Sequence, residues 1–440
     1  MSYRNVEEKE IQPTAYHFVK ISGRVTDELD FYLQALAASN LALMTNPISA
    51  QAHYRKGVSL YRLQFYHDAL AEFDETLRLD PHHVDALNYQ GIVLRKLERY
   101  HDALLVYDRA LRLNPLSAHT HFNKGVILDT LEHYEEALDC YERSIQLNSH
   151  LADVYTNKGR LLYLLERPDE AITALDEAIR LNPEDYLAHY YKGLALNALQ
   201  RYEDALDSLN QAIHYNPADA ATWYARGDML RKLELYHEAL IAYDRAILLD
   251  LHYTQAYISK GIVLEMLQRY GEAFATYEKA LALDSTNAMI YFYQGDALGA
   301  LEHYDEALDS YEKALALDST DPIIYYHKSL VLGILERYEE TVTVLDQLLR
   351  LVPDHIDALI SRGRALFLLE RYEAALTSFE QALTFAPGNT LAYKLKGQVL
   401  QRLHRYDEAL AAFEQALRLD PDDTEAAGNK EELLQEMQKQ

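Results

Sequence analysis

Residues Val84 to Ser117 read VDALNYQGIVLRKLERYHDALLVYDRALRLNPLS, and the chain restates this 34-residue unit end to end. A fixed period of that length marks a repeat architecture, and it overrides the several-domain prior that 440 residues would otherwise suggest. Within the quoted unit, Leu87, Leu94 and Leu97 are large and apolar, with small Gly91 between them. Tyr100, Ala103, Tyr107 and Ala110 follow, and Pro115 closes the unit. Two amphipathic patterns of 3.6-residue period are joined by the short turn Glu98-Arg99-Tyr100. The stretch predicts a helical hairpin.

Repeats begin at 16, 50, 84, 118, 152, 186, 220, 254, 288, 322, 356 and 390. Four positions hold the register. Position 8 is glycine in eleven repeats, Ser329 being the exception, and position 14 is leucine in all twelve. Position 17 is tyrosine except at Pro168, and position 20 is alanine except at Thr341. The predicted organisation is a polar tail over 1–15, a degenerate capping repeat over 16–49, eleven tandem repeats over 50–423 and a C-terminal capping helix over 424–440. On that last helix Leu433, Leu434 and Met437 are expected to face inward.

Glycine inside a helix costs about 1 kcal/mol against alanine, so its recurrence at position 8 implies a steric demand. Close approach to the alanine at position 20 is the expected cause. Acidic pairs such as Glu135-Glu136 open the second helices, where the dipole is positive. Position 7 is basic in nine repeats, and its cations are expected to pair with acids near position 25, such as Asp74 and Glu142. The repeat 322–355 departs at both close-approach positions, through Ser329, Thr341 and Leu348.

These residues closely resemble the tetratricopeptide repeat family. Its pattern calls for an aromatic or leucine at position 4, small residues at 8, 20 and 27, a large apolar residue at 11, an aromatic at 24 and proline at 32. Trp223, Gly227, Leu230, Ala239, Tyr243 and Ala246 meet it in one repeat, and Leu359, Gly363, Leu366, Ala375, Phe379, Ala382 and Pro387 in another. The resemblance implies an all-α fold, an α-solenoid in which stacked hairpins form a right-handed superhelix with first helices lining a concave face. It also implies a groove that binds partner peptides. The carboxylate clamp of chaperone-binding members is absent, because lysine occupies position 5 only at Lys20 and Lys394, with no asparagine at position 9 of their repeats.

The formal net charge is −27, which repels phosphate backbones in bulk and argues against nucleic-acid binding. One cysteine, Cys140, suits a reducing compartment. No apolar run reaches membrane-spanning length, and the opening MSYRNVEEKEIQPT is too polar for a signal peptide. A cytoplasmic location without membrane insertion is expected. No metal-ligand spacing, nucleophile elbow or phosphate loop occurs, so no catalytic, cofactor or metal residue is assigned and the chain reads as a non-enzyme.

Specificity must lie where otherwise identical repeats differ. Positions 2, 5, 9, 12 and 13 form one stripe on the first helices, and those 60 positions hold eleven Lys or Arg against nine Asp or Glu. The stripe is near neutral on a strongly acidic chain. Its first candidate segment holds Tyr54, Tyr61, Arg62, Asn88, Arg95, Lys96, Phe122, Arg160 and Tyr163, with Arg231 and Lys232 repeating the Arg95-Lys96 pair. Aromatics interleaved with cations suit an acidic, partly apolar peptide. A second, apolar segment holds Met289, Phe292, Ile323, Tyr326 and Leu330, with Gly299 and Gly333 leaving room for a shallow pocket. The expected function is a protein–protein interaction scaffold, acting as monomer or homodimer; the alternative is a structural protein that assembles through its repeat faces.

Overall fold

From residue 50 onward every repeat folds as two helices, of 13 and 14 residues, as in Val84–Lys96 and Tyr100–Leu113. The computed structural model describes residues 15–439, with side chains over 29–438. Among the described residues there are 24 helices and no strand, so the all-α solenoid of hairpins is the fold. The polar tail proposed for 1–15 lies almost wholly outside the described residues.

The helix ends follow from local chemistry. Side chains ahead of the first helices cap them: Ser117 Oγ accepts from the Thr120 N–H at 3.3 Å, and Asn389 Oδ1 from the Ala392 N–H at 2.9 Å. Each hairpin turns on a residue in the left-handed region at position 15, with φ 57° at Glu98 and 64° at Glu302. There the Arg99 N–H donates to the Leu94 carbonyl at 2.8 Å and the Glu98 N–H to the Arg95 carbonyl at 3.0 Å. This six-to-one closure ends the first helix and aims the second back along it.

Inside the hairpin, the side chain at position 24 is the wedge. Phe73, Tyr107, Tyr141, Tyr243, Tyr277 and Phe379 are fully buried. A Cβ added at Gly91 would lie 2.5 Å from Tyr107 Cζ, and one at Gly193 2.7 Å from Leu209 Cγ. The glycine is therefore required by the position-24 side chain. This corrects the expectation that alanine at position 20 sets the demand; Ala171 and Ala205 contribute only carbonyl oxygens, at 3.2 and 3.3 Å from a Cβ at Gly159 and Gly193. Where serine replaces the glycine, Ser329 donates its hydroxyl to the Tyr326 carbonyl at 2.6 Å, and the hairpin Pro322–Ile334 with Tyr338–Leu351 still forms. The buried face of the first helices also includes position 10, as at Val93, Ile127 and Leu161, which the repeat pattern did not single out.

Basic residues at position 7 tie consecutive repeats. Lys124 pairs with Asp108 at 2.7 Å, Lys158 with Glu142 at 2.9 Å, Lys328 with Glu312 at 3.0 Å and Lys396 with Glu380 at 2.8 Å. Each acid is residue 25 of the preceding repeat. Asp74 is the exception, because position 7 of the next repeat is Gln90, whose amide donates to it at 2.6 Å. Such half-exposed pairs contribute at most about 1 kcal/mol each.

The two ends differ from expectation. Repeat 16–49 is not a hairpin: Ala15–Thr45 is one helix. Its position 24 is Ser39, too small to wedge a second helix against a glycine, and its hydroxyl turns back onto the Ala35 carbonyl at 2.8 Å. At the other end, helix Thr424–Lys439 buries Leu433 and rests Met437 on the core, whereas Leu434 is 36% exposed and does not face inward.

The described residues form two compact bodies, which divide between Leu249 and Asp250. Within each, most consecutive first helices touch, as Val84–Lys96 does Ala118–Thr130, whereas consecutive second helices are not packed on one another in that way. The first-helix layer is thus the inner side of each body.

Candidate functional site

In the N-terminal body the candidates Tyr54, Tyr61 and Arg62 gather around Tyr89, at position 6 of its repeat. Its ring lies 6.0 Å from Tyr54 and 5.8 Å from Tyr61, edge-on to both, and stacks on buried Phe73 at 5.8 Å. Burial, with Asp85 nearby, pushes the Tyr54 hydroxyl up to about 12, so it stays a neutral donor. The Arg62 guanidinium sits 5.9 Å over the Tyr61 ring and 5.8 Å over Tyr32. Tyr32 and Tyr89 both lie off the stripe and were missed by the sequence reading.

The cations divide into two groups. Arg160 is bound to Asp129, which is itself buried and accepts from the Tyr141 hydroxyl at 3.2 Å. Arg231 lies 3.6 Å from Asp228, the acceptor of the Tyr243 hydroxyl at 2.7 Å. Lys232 donates to Asn197 Oδ1 at 2.6 Å and lies 5.1 Å over Tyr202. These three candidates are neutralised or held within the chain, and the likeness of Arg231-Lys232 to Arg95-Lys96 ends at sequence. Arg62, Arg95 and Lys96 form no ion pair with a carboxylate among the described residues. Beneath Arg95, the buried Tyr107 hydroxyl has no hydrogen-bond partner.

Asn88, on the same helix, accepts from the Thr120 hydroxyl at 2.7 Å. Phe122 packs 6.0 Å from Tyr141, and Phe122 and Tyr163 are half-buried against the core beneath their repeats. They serve as floor more than as contact surface.

In the C-terminal body Phe292 is 5% exposed and packs on Tyr311 and His327, so it offers no surface. Position 5, assigned to the outer stripe, is core here because the helix rotates it inward, as it also does Ile258 and Ile360. Tyr326 is half-buried with its ring 5.3 Å from His355. Ile323 and Leu330 are exposed, and a Cβ at Gly333 would meet nothing within 4 Å. Of that apolar segment, Ile323 and Leu330 on Pro322–Ile334 are the exposed side chains, and Phe292 is not one of them.

Among the described residues no group of three His, Cys, Asp or Glu could hold a metal ion. Burial pushes the Cys140 thiol up to about 11, the wrong direction for a nucleophile. No helix among them is long and apolar enough to cross a membrane.

Family models described as tetratricopeptide repeat match residues 54–115, 156–213, 198–252, 224–288 and 335–390, and again 118–151 and 390–423. One described as TPR repeat matches 295–333. The chain belongs to the tetratricopeptide repeat family. Among solved structures this tetratricopeptide repeat chain is similar to YrrB, described as a TPR protein with an unusual peptide-binding site, at 27% identity over 43% of this chain and 98% of that one, with a TM-score of 0.40. It is also similar to a chain of the APC/C hetero-tetramer Cut9–Hcn1, at 13% identity, 92% and 94% coverage and a TM-score of 0.42. Yeast Tom70 follows at 16% identity, 88% and 96% coverage and a TM-score of 0.40. No curated protein matches the chain.

Proposed function

We propose that this protein is a non-enzymatic scaffold that holds segments of partner proteins on the first-helix faces of its repeats. The N-terminal body takes an acidic, aromatic-containing segment at Arg62, Arg95 and Lys96. The observation that carries this reading is the contrast among cations: Arg160 and Arg231 face their own carboxylates, whereas Arg62, Arg95 and Lys96 do not. Arg62 beside Tyr61 and Tyr89, with Arg95 and Lys96 on the next first helix, lacks a carboxylate of the chain and is ready for charge-assisted hydrogen bonds and ring contacts. Asn88 supplies a further polar contact on the same helix as Arg95.

The test is fluorescence anisotropy with a dye-labelled peptide carrying alternating glutamates and tyrosines. Arg95→Glu with Lys96→Glu is expected to weaken binding at least tenfold, with the helical circular dichroism and melting curve unchanged. Unaltered affinity in that variant would remove the site from this face.

A further inference from the structure

In four repeats a buried tyrosine at position 24 lies under an acid of the first-helix face: Tyr141 under Asp129, Tyr243 under Asp228, Tyr277 under Glu265 and Tyr311 under Asp296. Three of these acids meet a cation or histidine of the chain. Asp129 has Arg160, Asp228 has Arg231, and Asp296 has His327, with Nδ1 at 2.8 Å from its Oδ1. Glu265, on helix Thr254–Met266, has no ion pair among the described residues, and its Oε1 is buried without a hydrogen-bond partner. Below it the Tyr277 hydroxyl, on a side chain 0% exposed, faces the carboxyl as a donor toward it. The phenol can answer one carboxyl oxygen, and Oε1 is left without a donor.

The chemistry of the missing donor is constrained on three sides. Burial is the main cause that pushes the Glu265 carboxyl up to about 7; Tyr277 and His327 oppose it, and Asp296 adds to it. An isolated carboxylate in such a place is costly unless a donor of opposite charge arrives. A metal ion would need more ligands than one carboxylate and a phenol supply, and the described residues hold no such group. An acidic or neutral side chain brings no counter-charge. Helix Pro322–Ile334, whose His327 closes the cluster, carries exposed Ile323, Leu330 and Ile334 at the spacing of one helix face.

We propose that Glu265 is the docking point for the ammonium or guanidinium group of a lysine or arginine flanked by apolar residues in a partner segment. This rests on the reading of the first-helix face as the partner-binding surface, and gives the C-terminal body a ligand opposite in charge to that of the N-terminal body. Glu265 ionises as the cation arrives, and the partner's N–H donors fill the vacancy at Oε1.

The experiment uses the full chain and the peptide acetyl-Ala-Leu-Lys-Leu-Ala-amide, with norleucine in place of lysine as its uncharged counterpart. The Glu265 carboxyl carbon is followed by NMR and assigned from its loss in Glu265→Gln, or from its displacement in Glu265→Asp should the first variant fold poorly. The lysine peptide is expected to bind about tenfold tighter than the norleucine peptide and to draw the Glu265 titration down toward the ordinary carboxylate range. Equal affinities, or a Glu265 titration that the lysine peptide leaves in place, would overturn the proposal. Acidic-peptide anisotropy reads Arg95 and Lys96 separately, so failure there with a positive result here sinks the acidic site and spares Glu265. The reverse pattern sinks Glu265 alone.

Discussion

Glycine at position 8 and the side chain at position 24 act as one steric unit. Gly193→Ala would bring a methyl group to 2.7 Å from Leu209 Cγ, closer than packed atoms sit. It is expected to destabilise the chain by about 1–3 kcal/mol, read from urea unfolding. A second residue-scale prediction concerns Glu265, faced by Tyr277, Asp296 and His327. Its folded carboxyl titrates near about 7, above the ordinary value of about 4.3. The folded state therefore holds that proton more tightly than the unfolded chain does. Its contribution to stability is full below the ordinary value and is lost as pH rises through about 7. Glu265→Gln should accordingly lose less melting temperature than the wild type between about pH 5 and 8, checked by calorimetry. Much of this scale was legible: the glycines, alanines and tyrosines recur in register. The pairs Asp129–Arg160 and Asp296–His327 were not, because each joins different positions of successive repeats. A reading by register sees columns, whereas these contacts run diagonally across them. Glu265 was overlooked for the same reason; its distinction is the diagonal partner it does not have.

At the level of elements, the turn fixes each hairpin through a residue with positive φ that is never glycine. Glutamate or glutamine in the left-handed region costs about 1 kcal/mol or more. Glu98→Gly should therefore raise stability by about 0.5–1 kcal/mol, the relief of strain being partly offset by the freer unfolded chain, as measured by thermal melts. Helix lengths and the existence of hairpins followed directly from the 34-residue period. The failure at Ala15–Thr45 has a local cause: with Ser39 at position 24, the second half has no wedge to hold it as a separate helix. Leu434 was misplaced because a single helix offers several candidate faces, and only the packed neighbour decides among them.

Across the whole molecule, a formal charge of −27 makes any uncompensated cation conspicuous. The 34-residue repeat uses basic residues at position 7 as ties to position 25 of the preceding repeat, which contribute to stacking and leave those cations unavailable to a ligand. Of the other groove cations, Arg160, Arg231 and Lys394 face acids of the chain, and Lys232 is held by Asn197 and Tyr202. In the candidate sites Arg62, Arg95 and Lys96 of one body have no carboxylate partner, and Glu265 of the other has no cation, among the described residues. That residue of charge was only half-legible from sequence, which displayed the Arg-Lys pair twice and could not tell the free copy from the held one. The central claim is that ligand charge follows from internal compensation, and the two copies test it against each other. Anisotropy of the acidic peptide should be measured for Arg95→Gln with Lys96→Gln and for Arg231→Gln with Lys232→Gln. The account predicts at least a tenfold loss in the first variant and a change under twofold in the second; equal losses in the two would contradict it.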